Sequence, residues 1–146
     1  MGRTDPATDP KGVLAVKALD EAATTYKEPA LRALATETSN VFTEDSLVGR
    51  LQAGQLDAGF FYGVEATAAT PRLKTITLAP VKLSAKYELT ILNGAAHQAG
   101  AVAFVAWLLG PEAAPVLKAE GVTLDRPAVL TGNQSAVPGA LRSVIS

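Results

Sequence analysis

The sequence predicts an α/β fold with a mainly parallel sheet flanked by helices, and three observations lead there. Stretches with helical spacing of apolar residues alternate with short stretches of strand-like alternation, an order that suits helices packed on a parallel sheet. Glycine and proline punctuate the chain where one kind of stretch gives way to the next. The 146 residues are 48% hydrophobic, enough for one globular unit with a real core, or for part of a larger one.

Taken in order, two Asp-Pro pairs, Asp5-Pro6 and Asp9-Pro10, precede a helix from Lys11 to about Tyr26. Asp9 is placed to cap it, and Pro10 suits its first turn, where a missing N–H costs nothing. Val13, Val16, Ala23 and Tyr26 mark its apolar face. A short helix follows from Pro29 to Ala35. Thr43 is the next N-cap, with Glu44 and Asp45 at the positive helix end and Phe42 placed to staple onto Leu47. Leu47, Val48 and Leu51 form the stripe of that helix, Ser46 aids its capping, and Gly54 supplies a left-handed stop. Asp57–Val64 reads as a strand, Thr75–Lys82 as a second with one wet face, and Tyr87–Leu92 as a third. After Asn93-Gly94 a helix runs from Gln98 to Leu109 and ends at Gly110, with Trp107 in its core-facing set and His97 at its opening. Pro111 starts another, which stops at Gly121. The tail from Val122 carries Pro127, Gly132, Pro138 and Gly139, and is expected to form loop, one short strand and a last helical turn near Leu141.

Composition narrows the function. Thirteen basic and 14 acidic residues give a net charge of −1, with none of the clustered basic surface that nucleic acid or an anionic membrane requires. Cysteine is absent and His97 is the single histidine, so thiolate or histidine metal clusters and a Ser-His pair have no material here. No acid–base or nucleophile–base pair stands out, and neither an enzyme nor a cofactor is expected. The N-terminus lacks the basic stretch and apolar run of a signal peptide, and Ala99–Leu109 is too short to span a bilayer.

Three stretches carry a family resemblance. Gly2-Arg3-Thr4-Asp5-Pro6 through Asp9-Pro10-Lys11-Gly12 resembles an Asp-Pro-x-x-Asp-Pro-x-Gly opening. Asp45-Ser46-Leu47-Val48 through Gly54-Gln55-Leu56-Asp57-Ala58-Gly59-Phe60-Phe61-Tyr62 resembles a helix, a Gly-x-x-Asp-Ala-Gly-Phe-x-Tyr turn and a strand. Ala101–Gly121, with Phe104, Leu108, Leu109, Pro111 and Glu120-Gly121, resembles a closing helix pair, and Ala136-Val137-Pro138 with Leu141 a characteristic ending. Together they resemble the second lobe and C-terminal return segment of the molybdate/tungstate type of extracellular solute-binding protein, a type II periplasmic binding protein that serves ABC importers. The resemblance implies a second lobe over residues 1–84 and, over 85–146, a return segment that packs on a first lobe. It implies a partial chain: an excised domain, a fragment or an internal gene start. It also implies a periplasmic or extracellular, membrane-associated setting and an ABC permease as partner of the full-length protein.

Tetrahedral oxyanions need hydrogen-bond donors converging on several oxygens, and helix N-termini supply them from backbone amides. The turn at Asp9, Lys11 and Gly12 is such a terminus; Asp9 is either a plain helix cap or a participant in binding. In archaeal-type tungstate receptors, the resemblance implies, an Asp matching Asp9 and a Glu complete octahedral coordination of the metal. That Glu position falls on Phe61 here, so the second carboxylate is lacking. Tyr62 sits where bacterial molybdate receptors place a phenol that donates to the oxyanion; the alternative is a half-buried strand aromatic. Arg3 and Thr4, near the implied hinge, are further donor candidates. The leading expectation is therefore an oxyanion-binding component of a transport system. The alternative is a truncated non-transport module acting as an oligomeric scaffold or sensor. Apolar surface on Tyr87–Leu92 and on the helix carrying Phe104 and Trp107 further predicts a homodimer.

Overall fold

The computed structural model describes residues 1–69 and 72–145. Two compact units make it up, Met1–Tyr87 and Glu88–Ser146. In the first, the N-terminal segment is the centre around which the rest is arranged. Gly2 N–H donates to Ala58 O (2.8 Å) and Gly2 O accepts from Phe60 N–H (3.1 Å); Arg3 N–H donates to Asn40 O (2.9 Å) and Arg3 O accepts from Phe42 N–H (2.9 Å). Residues 1–3 thus lie between two parallel neighbours, one bridge to each side. Leu47, fully buried, packs over this point, as do Leu56 and Phe42: a Cβ on Gly2 would stand 2.6 Å from Leu47 Cδ2 and 2.8 Å from Leu56 Cδ1.

Helix α1 (Pro10–Thr25) begins as its sequence requires, with Pro10 in the first turn and the Asp9 carboxylate accepting from Lys11 N–H at 2.7 Å. Its buried face is Lys11, Gly12, Ala15, Ala18, Leu19 and Ala23. Of the expected apolar face, Ala23 is buried and Val16 half-buried, but Val13 is 50% exposed and Tyr26 is exposed as well. Small side chains at 15, 18 and 23 let α2 (Ala30–Thr36) pack close to α1, so proximity of backbone, not side-chain size, decides which face is covered. Arg32 ties the pair at the surface through Asp20 (2.7 Å) and Thr24 (2.8 Å). Helix α3 (Glu44–Gln52) follows Thr43, whose side chain makes no capping bond; Ser46 Oγ instead donates to Thr43 O. Gly54, at φ +68°, ends it in the left-handed region that glycine enters freely.

The predicted parallel sheet is not present. Among the described residues helix takes up 47% and strand 4%, and every pairing is an isolated bridge. The segment expected as a strand over 57–64 is extended only to Tyr62, and Gly63 opens a helix, α4 (Gly63–Ala69), which the aromatic and small-residue composition had concealed. Residues 74–78 and 81–92 carry no regular structure. Alternation makes a segment fit to lie in a sheet, but ladder hydrogen bonds come from a neighbouring strand, and this one has none; Ile76, one of its apolar residues, is 75% exposed.

In the second unit α5 (Gln98–Leu109) packs on α6 (Ala113–Ala119) and on the 3-10 turn Gly139–Leu141. Val105, Ala113 and Leu141 are their buried residues. Trp107, expected in the core, is 46% exposed beside Phe104, ring centroids 6.0 Å apart. Helix α5 is apolar on all sides, so two small partners leave part of it uncovered. Gly121 (φ +85°) terminates α6, and Ala128 bridges to Ile145. No single helix among the described residues is long and apolar enough to cross a membrane.

Gly12 and Gly49 provide a matched test of the first unit. A Cβ at Gly12 would meet Thr4 O at 2.5 Å and Asp5 C and Pro6 N at 2.6 Å, all backbone; one at Gly49 meets nothing within 4 Å. Chemical denaturation is expected to show Gly12→Ala destabilised by about 1–3 kcal/mol and Gly49→Ala stabilised by roughly 0.5–1 kcal/mol, the helical advantage of alanine.

Candidate functional site

The turn before α1 folds on its own carboxylates. Asp5 Oδ1 accepts from Ala7 N–H (2.9 Å), and Asp5 O accepts from the N–H groups of Thr8 (3.2 Å) and Asp9 (2.8 Å). With Lys11 N–H on Asp9, four amides of the turn are already engaged. An open groove of about 550 Å³ runs beside it, lined among others by Pro6, Thr8, Asp9, Val13 and Lys86. Gly12 is buried against the backbone of residues 4–6, which brings the helix start close to the N-terminal segment.

Lys11 belongs to the first turn of α1, yet its side chain is only 3% exposed. Its ammonium donates to both carboxylate oxygens of Glu65 in α4 (2.9 and 3.0 Å) and stands 3.5 Å from Glu44 Oε1 at the start of α3. A buried lysine without partners would shed its proton; here the charge is met by a bidentate carboxylate. The same ammonium lies 5.6 Å from the centroid of the Tyr62 ring and 5.7 Å from that of Phe61, the range in which a cation is drawn to an aromatic face. Tyr62 immediately precedes α4, and its N–H donates to Glu65 Oε2 at 2.9 Å, half of a capping box. Burial raises the Tyr62 phenol above its ordinary ionisation range, and Tyr87, Asp9, Glu65 and Glu44 add to that in turn, so the phenol remains a neutral donor at physiological pH.

The structure therefore brings together Asp9, Lys11, Gly12 and Tyr62, all named from the sequence. Arg3 and Thr4 are placed otherwise. Arg3 is 3% exposed and spends its guanidinium on main-chain carbonyls: Ala35 O (2.7 Å), Thr4 O (3.2 Å) and Glu37 O (3.4 Å). Thr4 is buried too, and its Oγ1, like Arg3 Nε, has no hydrogen-bond partner among the described residues. Glu44 and Glu65 are the members that sequence reasoning missed. A Glu three residues after a turn residue is a capping signal, but Tyr in place of Ser or Thr at the cap hid it. Among the described residues no cluster of three or more Asp, Glu or His stands ready to hold a metal ion.

Glu44 feels two opposed neighbours. Its approach to Glu65 pushes its carboxyl above the usual range, and Lys11 pulls the other way more weakly, because the ammonium is 3.5 Å from Glu44 but already closed on Glu65. A carboxyl raised in the folded state holds its proton more tightly there than in the unfolded chain. Stability must therefore fall as pH rises from the ordinary glutamate value through the raised one. Glu44→Gln is expected to remove that fall: thermal denaturation between pH 4 and pH 7 should show a flatter profile, with no loss of stability at pH 7.

Residues 1–123 match the family model of bacterial extracellular solute-binding proteins. A Haloferax volcanii protein that carries the name "Putative ABC transporter molybdenum-binding protein" is 40% identical over 62 residues. That stretch is 42% of this chain and 20% of the relative. No solved structure matches significantly. The family match extends over most of the sequence, and the chain belongs to the family of bacterial extracellular solute-binding proteins.

Proposed function

We propose that this chain is part of the substrate-binding component of an ABC importer and that its solute is an oxyanion such as molybdate or tungstate. The observation that carries the reading is that Lys11, in the first turn of the Asp9-capped helix, brings its ammonium to 5.6 Å from the Tyr62 ring centroid, linking two motifs far apart in sequence. Support also comes from the name borne by the Haloferax volcanii relative. The work of such a component is recognition and delivery, done outside the cytoplasmic membrane and completed by a permease.

In this reading the helix start and the phenol divide the task. Tyr62 donates one neutral hydrogen bond to an oxyanion oxygen. Asp9 swings off its cap when ligand arrives, which releases the Lys11 amide as a second donor at the positive helix end. Donors from one face leave much of a dianion in water, so affinity in this chain by itself is modest.

Calorimetric titration with molybdate and tungstate, against sulfate and phosphate, tests this. Saturable binding of the first two, weaker than micromolar, is expected, with sulfate and phosphate weaker still. Tyr62→Phe should weaken it by roughly tenfold to a hundredfold, the effect of one hydrogen bond to a charged group. Equal affinity in the variant would show Tyr62 to be packing alone, and absence of binding to all four anions would contradict the oxyanion reading.

A further inference from the structure

We infer that Glu65 is the positioning residue of this face: it fixes where Tyr62 stands and withholds the charge of Lys11 from any ligand. The inference rests on the reading of Tyr62 as a ligand donor, but the geometry behind it is independent of a ligand.

Lys11, two residues beyond the cap of α1, has the charge that suits an anionic solute. Its ammonium is instead closed by both oxygens of Glu65, at 2.9 and 3.0 Å, and Glu44 stands behind at 3.5 Å. Glu65 Oε2 also accepts the Tyr62 N–H at 2.9 Å. One carboxylate oxygen thus receives a donor from α1 and a donor from the residue that opens α4. The main chain at Tyr62 sets the direction of its Cα–Cβ bond, and the ammonium 5.6 Å from the ring centroid sets one side of the space the ring occupies. Both constraints pass through Glu65. Without the carboxylate, the ammonium would lose its bidentate partner and the first turn of α4 would lose a side-chain acceptor. Glu65 touches no ligand in this account; its effect on recognition is exerted through Tyr62 and Lys11.

The test uses the full chain and nuclear magnetic resonance of the Tyr62 amide and ring, first without ligand and then with sodium molybdate. Glu65→Gln keeps the size and one acceptor oxygen but removes the charge; Lys11→Met removes the ammonium and keeps the stem. Both variants are expected to shift the Tyr62 ring and amide signals while leaving Ala15 and Leu19 of the α1 core unmoved. In the double variant the shifts should fall short of the sum, because the two groups act as one. Glu65→Asp, which retains charge but is one methylene shorter, should restore part of the wild-type pattern. Molybdate affinity in the double variant, where no freed ammonium offsets the displaced phenol, should drop roughly tenfold, in the range of losing the Tyr62 bond itself. Unshifted Tyr62 signals in Glu65→Gln, or fully additive shifts, would overturn the assignment. If instead the variants shift Tyr62 as described but molybdate disturbs no wild-type signal, the positioning role stands and the oxyanion reading fails.

Discussion

A charge taken out of water needs close partners of opposite sign, and in the first unit three helix starts supply that arrangement at Lys11. The residue lies in the first turn of α1, its partner Glu65 in the first turn of α4, and Glu44, the more distant and more exposed carboxylate, starts α3. Three helix starts therefore meet at one charge. Removing a partner from such a site leaves an uncompensated ion, which costs far more than the pair contributes in net stability. The arrangement also satisfies backbone at a helix terminus, since Glu65 holds the Tyr62 amide that would otherwise end unpaired.

Around that point, the N-terminal segment does the work a central strand would do. Gly2 and Arg3 are bonded on both sides by main chain, and Arg3 turns its guanidinium inward to bind three carbonyls near the end of α2 and at Thr4. Glycine at position 2 is required by Leu47 and Leu56, which occupy the space a Cβ would need. This explains why a polar, arginine-bearing terminus is among the least exposed parts of the unit.

What the sequence made legible was local. The Asp9–Pro10 start, the stop at Gly54, the span Gln98–Leu109 and the stop at Gly121 depend on one or two residues whose conformational preferences are strong, and each appears in the structure. The sheet was not legible, because alternation in 74–92 records an ability to pair and says nothing of whether a partner strand exists. The helix at Gly63 was lost for a related reason: Asp57–Val64 has strand-like composition, and the capping carboxylate that starts α4 lies beyond it. Of the site, Asp9, Lys11, Gly12 and Tyr62 could be named from two motifs, but their meeting could not, since it depends on a lysine and a glutamate from opposite ends of the unit. Trp107 and Phe104 show the converse limit: apolar residues mark what a helix would bury, and α5 has too few neighbours to bury them.

The central claim, that the helix start at Asp9 and the phenol of Tyr62 form one binding face for an oxyanion, is open to direct inspection. Crystals grown with sodium molybdate, measured on both sides of the molybdenum absorption edge, would locate the metal without reference to any assumed pose. An anomalous peak is expected within hydrogen-bonding reach, through its oxygens, of Tyr62 Oη and the Asp9–Gly12 turn, with Lys11 still closed on Glu65. A well-occupied peak elsewhere on the chain, or one coordinated by a freed Lys11, would contradict it.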